Sequence, residues 1–253
     1  RITNATNSRT VVAALVPPMP CTDKAAVLQL DDPVRQLLVV AALNSLGVDA
    51  SARLRCSGTQ LDRHHLAALP LPAPARFRVE EVAFLALRLC GPHPWFAPLW
   101  LDLRNRLPQL TAAGWGEHFL HEATARRLAT AAIEALVAEA MGLSSHDLLG
   151  ILSDCDLQAG ELKERATLNR LDPRGFWRVD RVLPSAQRLP ALALAAHEIL
   201  TNKGPEALLA TVPSGASRAV RNLSWSDCEA AAQPVLRLQE ALRKRVGQQA
   251  ALL

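Results

Sequence analysis

The stretch Leu69-Pro70-Leu71-Pro72-Ala73-Pro74 constrains this chain more than any other. Each proline lacks an amide hydrogen and clashes with the helical turn before it, so no helix can run through the segment. Prolines at alternate positions favour an extended, polyproline-like path. They mark the best boundary in the chain, which reads as residues 1–75 followed by residues 76–253.

Upstream of the prolines, Ile2–Val16 reads as extended. Thr10, Val11, Val12, Leu15 and Val16 are strand formers, and Pro17-Pro18 ends regular pairing. A Pro- and Asp-rich loop follows through Asp32. Asp31 or Asp32 can cap a helix that has Pro33 in its first turn. Leu37, Leu38, Ala41, Ala42, Leu46 and Ala50 recur with helical spacing, which predicts a core helix over about 33–54. A polar turn around Gly58 and a short helix over 62–68 complete this part.

Downstream, the periodicity predicts helices over 78–90, 95–106, 119–141, 145–153, 157–168, 186–200, 204–210 and 225–246. Gly142 closes the third of these, and Ser144 ahead of Ser145-His146-Asp147 resembles a capping arrangement. The expected fold class is α+β and predominantly helical. A partial domain with a few strands and a core helix precedes a helical domain.

With 253 residues, 49% apolar and 21% charged, the chain has the composition of a folded globular protein. Its net charge is +4 and its pI about 9.0, a mildly basic balance compatible with a nucleic-acid partner. The excess sits at the two ends: seven Arg/Lys against five Asp/Glu in residues 1–75, and six against three in residues 218–253. The five cysteines are scattered and never paired as C-x-x-C, which argues against a disulfide framework or zinc ribbon and fits a reducing cytoplasm. No apolar run reaches the ~18 residues of a membrane span, so no membrane partner is expected. The segment Arg1–Thr10 is too polar for a signal peptide, and a chain that opens on Arg1 reads as part of something longer.

Catalytic signatures are sparse. His118 and His121 lie three apart between Glu117 and Glu122, but no third cluster completes a metal site. His64-His65 cannot both face one site on a regular helix, so a solvent- or DNA-facing role is expected and no metal is assigned. There is no G-x-S-x-G elbow, no H-E-x-x-H and no phosphate-binding glycine loop. Asp154 and Asp156 read as loop or capping residues.

Two polar clusters fit DNA better. Asn4, Thr6, Asn7, Arg9 and Thr10 combine side chains that match base edges in the major groove with hydroxyls that reach phosphates. Arg53, Arg55, Ser57, Thr59 and Gln60 surround Gly58, where the backbone can approach a ligand closely. Each has a plainer alternative. Thr/Asn-rich segments also occur at sheet edges and turns, and Gly58 also suits a simple turn.

Several segments read together resemble a known family. Ile-Thr-Asn-Ala-Thr-Asn-Ser-Arg-Thr-Val-Val-Ala-Ala-Leu-Val-Pro-Pro (2–18) is similar to a strand in target-recognition domains of large adenine-specific DNA methyltransferases. These are the type IIG restriction–modification enzymes and the phage-defence methyltransferases of BREX and DISARM systems. Leu-Leu-Val-Val-Ala-Ala-Leu-Asn-Ser-Leu (37–46), Arg-Cys-Ser-Gly-Thr-Gln-Leu-Asp (55–62) and Leu-Ala-Ala-Leu-Pro-Leu-Pro (66–72) follow in the family's order. Residues 126–148 and Asp-Pro-Arg-Gly-Phe-Trp-Arg-Val-Asp (172–180) extend the resemblance.

The resemblance implies that residues 1–75 are the C-terminal portion of a DNA target-recognition domain, and residues 76–253 a helical C-terminal domain. Its partners would be double-stranded DNA and a catalytic methyltransferase domain or subunit. The parent enzyme would use S-adenosylmethionine to methylate N6 of adenine. This chain has neither the glycine-rich cofactor loop nor the Asn/Asp-Pro-Pro-aromatic tetrapeptide, since Pro17-Pro18 lies between Val16 and Met19. It is therefore expected to bind no cofactor and, alone, to be non-catalytic. The rival expectation is a non-enzymatic helical module that binds a protein, with Leu236, Leu238, Leu242 and Val246 set among basic residues in its tail.

Overall fold

Asp32 opens the first helix, its carboxylate accepting the Arg35 amide at 3.2 Å with Pro33 in the first turn. In the computed structural model, residues 9–17, 21, 25–56, 60–90, 93–154, 180, 182–213 and 220–250 are described. The predicted helix over 157–168 lies outside them. The described residues form ten α-helices and no strand.

The single helix expected over 33–54 is two, α1 (Pro33–Leu43) and α2 (Leu46–Arg55), bent by 64°. Asn44 and Ser45 cause the break. The Asn44 side-chain amide donates to Val40 O at 2.9 Å, competing with the next helical turn, and the Ser45 hydroxyl accepts the Val48 amide at 3.3 Å as the cap of α2. A short α3 (Arg63–Ala67) and a 3₁₀ turn at Pro74–Arg76 lead out of this part.

The following helices are α4 (Val79–Leu89), α5 (Ala97–Arg104), α6 (Ala123–Met141), α7 (Ser145–Asp154), α8 (Leu189–Lys203), α9 (Pro205–Leu209) and α10 (Trp225–Ala250). Helix α6 ends on Gly142 at φ 77°, where the Leu143 amide returns to Ala138 O at 2.9 Å. It starts four residues later than its periodicity predicts. Phe119 is extended and buried, with its ring edge-on to Trp100 and Trp115, and this packing outweighs helix continuation.

Helices α6 and α8 lie side by side, α4 packs on α1 and α6, and α10 packs on α5. Ala129, Ala132 and Ala135 are fully buried on α6, and such small side chains let neighbouring helices approach closely. One core joins Leu37 and Leu38 of α1 to Leu85 of α4, Trp100 of α5, Leu136 of α6 and Leu200 of α8. Apolar packing therefore continues across the proline segment, from residues 1–75 into residues 76–253.

The strands expected near the N-terminus are absent from the described residues, and the fold there is helical with an extended segment. Residues 9–17 run extended without a partner strand, and side chains satisfy the backbone at Thr10, Val11 and Ala13. Thr10 and Val11 amides both donate to Asp49 Oδ1 at 2.7 Å. The Ala13 amide donates to Asn44 Oδ1 at 3.0 Å, and Ala13 O accepts from Asn44 Nδ2 at 2.8 Å. Carboxylate and carboxamide groups at the α1–α2 junction replace a sheet ladder.

Gly116 leaves the least room for a side chain of the described glycines. Its amide donates to Leu223 O at 2.9 Å, and an added Cβ would collide with the Val220 carbonyl oxygen. Gly116→Ala is expected to destabilise the chain by about 1–3 kcal/mol, read as a lower denaturation midpoint with unchanged slope. No single helix among the described residues is long and apolar enough to cross a membrane.

Candidate nucleic-acid interface

The first polar cluster divides in the structure. Asn4, Thr6 and Asn7 lie outside the described residues. Arg9 and Thr10 turn inward, onto two buried carboxylates that the motifs of the sequence do not single out. Arg9 donates to Glu134 Oε1 at 3.1 Å, and the Leu46 amide donates to Glu134 Oε2 at 2.6 Å. Glu134 sits on α6 with 3% of its side chain exposed, against 21% for Arg9. Asp49, fully buried, takes the Thr10 and Val11 amides on one oxygen and Arg53 Nε on the other at 2.9 Å.

Two acids and two guanidiniums thus form a hydrogen-bonded knot where the N-terminal segment, α2 and α6 meet. Burying such groups is tolerable only when each is paired and hydrogen-bonded. Burial pushes the Glu134 carboxyl above the usual glutamate range, and the nearby Asp49 charge adds to this; Arg9 and the Leu46 amide pull the other way.

A carboxyl raised on folding binds its proton more tightly in the folded chain than in the unfolded one. Its favourable contribution is complete below the unfolded value and is lost as pH rises through the folded value. Glu134→Gln, which cannot titrate, should therefore gain stability relative to the unsubstituted chain as pH rises above the ordinary glutamate range. Denaturant midpoints at several pH values read this directly. A deficit that widens with pH would contradict it.

The second cluster divides as well. Arg53 belongs to the knot, and Ser57, Gly58 and Thr59 lie outside the described residues. Arg55 is exposed at the end of α2, donating to the Ser51 hydroxyl at 2.7 Å and the Ser51 carbonyl at 3.0 Å. Gln60 is exposed, and its carbonyl accepts a weak bond from the Cys56 thiol at 3.8 Å. Arg63 and His64 follow on the exposed side of α3. Arg55, Gln60, Arg63 and His64 therefore leave charged or polar groups in solvent on either side of residues 57–59.

Several other arginines are internal ties. Arg88 is buried and donates to the carbonyls of His118 and Pro213 at 2.9 and 3.0 Å. Arg126 donates to the carbonyls of Leu120 and Leu89, both at 3.1 Å. Arg78 is bidentate on Glu139 at 2.7 and 3.1 Å. These bonds lock loops and helix ends, and they occupy the donors that a phosphate would need.

Two of the described cysteines are poor nucleophiles. Burial pushes the Cys90 and Cys228 thiols up to about 12, so neither is a thiolate at neutral pH. Ser145 Oγ lies 2.9 Å from His197 Nδ1, and His197 Nε2 lies 3.1 Å from Leu143 O. His197 is 5% exposed, and the pair pins α7 to α8. No family model matches the chain, and neither does any curated protein or solved structure.

Proposed function

We propose that the chain is the DNA-recognition and scaffolding part of a site-specific adenine-N6 DNA methyltransferase of a restriction–modification or phage-defence system. In this reading, residues 1–75 belong to a partial target-recognition domain and residues 76–253 brace it. Cofactor and catalytic motifs belong to a neighbouring domain or subunit, and the assembly works in the cytoplasm. One observation carries the proposal: the segments that bear the family resemblance, though distant in sequence, converge in space. Arg9–Val11 of the first segment, Asn44 to Leu46 of the second and Glu134 of the fifth are joined through the buried knot and the Asn44 carboxamide. Val11, Val48, Leu61 and Leu69 add a small apolar cluster that ties in the segments between.

The physical task suits this arrangement. Moving an adenine out of the duplex into a distant pocket costs a few kcal/mol, so a separate unit must hold the DNA in register. Within the proposal, Arg9, Thr10 and Arg53 fix the recognition segment to the scaffold. Arg55, Gln60 and Arg63 meet the duplex, with Ser57, Gly58 and Thr59 between them and Asn4, Thr6 and Asn7 upstream of the anchor. Arg55→Ala combined with Arg63→Ala in the full enzyme should weaken DNA binding and reduce its salt slope by about 1 for each phosphate no longer neutralised. Unchanged affinity and unchanged methylation would count against the assignment.

A second reading, a helical module that docks on a protein, rests on α10. Leu236 and Leu238 there are 43% and 41% exposed. Docking through such side chains would resist added salt, whereas phosphate binding would not.

A further inference from the structure

We propose that Asp62, His64 and His65 form a binding site for a divalent transition metal of the zinc class. One carboxylate oxygen and one ring nitrogen from each histidine lie within 4.8 Å of one another. The two imidazoles approach to 3.9 Å between centroids, with planes inclined by 40°. Neighbours on a regular helix point about 100° apart. Here both histidines sit in the opening turn of the five-residue α3, where Asp62 is the cap. His65 Nδ1 accepts the Asp62 amide at 3.1 Å, folding that ring back over the turn and towards the carboxylate. His64 is exposed and the other two are half-buried, so an ion can enter from solvent.

Zinc holds nitrogen and oxygen ligands at about 2.0–2.2 Å, which places them roughly 3.3 Å from each other. The three ligand atoms must draw together from within 4.8 Å of one another to bind the ion. Two imidazoles and a carboxylate suit zinc, nickel or copper, whereas magnesium and calcium prefer an all-oxygen set. Three protein ligands leave a position for water. The nitrogen of His65 that ligates needs a lone pair, so Nδ1 either holds the metal or, where Nε2 holds it, carries the ring proton; in both cases it can no longer accept the Asp62 amide. Metal binding therefore displaces that cap bond, a signature that adventitious binding to His64 alone would not produce.

Titration of the 253-residue chain with Zn²⁺ by calorimetry should reveal one saturable site. His64→Ala removes a ligand outright and should weaken it at least about tenfold, the least that loss of even an outer-shell partner costs, while His93→Ala should leave it unchanged. Mg²⁺ should give no comparable binding. The Asp62 amide resonance should shift on addition of Zn²⁺, and Co²⁺ should develop a visible absorption band that is lost in His65→Ala. No saturable Zn²⁺ binding overturns the proposal. So does a site of equal affinity in His64→Ala and His65→Ala, which would place the metal on other histidines.

Discussion

Asp49→Ala should destabilise the chain by about 3–5 kcal/mol, the range seen when one partner of a buried ion pair is removed. Asp49 takes three hydrogen bonds within the protein interior, from the Thr10 and Val11 amides and from Arg53. Alanine leaves two backbone donors and a guanidinium without that acceptor, and a buried orphan donor costs about 1–3 kcal/mol. Asp49→Asn keeps one acceptor oxygen and should lose less. The measurement is the urea midpoint at constant slope. A loss below about 1 kcal/mol in the alanine variant would mean that the extended segment is not held by this side chain.

Glu134→Ala is expected to be of similar size, about 3–5 kcal/mol, for a related reason. Glu134 reaches from the middle of α6 to Arg9 and to the first amide of α2, so its removal takes the acceptor from a cation and a helix-terminal donor together. Arg9→Ala should cost less, because Arg9 is partly exposed and its loss leaves only the acid to be neutralised. Since burial already raises the Glu134 carboxyl, protonation gives that variant a route that Glu134→Ala lacks. A double-mutant cycle between the two positions should return a coupling of about 0.5–3 kcal/mol. Additivity would show that the ion pair does not connect segment and scaffold.

The helical part of the fold is legible because its signals are local. Asp32 with Pro33, Ser144 with Asp147, and Gly142 each behave as caps, and the apolar positions of α4 and α6 face the core as their spacing predicts. Expectation and structure part where a distant group decides the outcome. Residues 9–17 have strand-forming side chains, but Asn44 and Asp49 take the backbone groups of Thr10, Val11 and Ala13, and neither residue signals that role in its own neighbourhood. Likewise, Arg9 and Arg53 look like phosphate ligands until the acids that hold them are known.

A trace of the knot is visible all the same. Asp49 in Leu46–Ala52 and Glu134 in Ala131–Ala138 interrupt otherwise apolar helical faces. A charge on the buried face of a helix demands a partner, and the nearby surplus of arginine supplies one. Neighbours on a helix diverge, which hides the His64–His65 pair from a reading of spacing alone. The capping bond from Asp62 to His65 in the first turn of α3 brings the rings together instead.

The most direct measurement is the affinity of the chain for duplex DNA as a function of salt. If exposed basic groups such as Arg55 and Arg63 meet phosphates, the logarithm of the binding constant should fall linearly with the logarithm of salt concentration, by about 0.9 per phosphate neutralised. The slope should shrink in Arg55→Ala/Arg63→Ala. Binding that ignores salt, or a slope unaltered by that double substitution, would contradict the assignment of this surface to DNA.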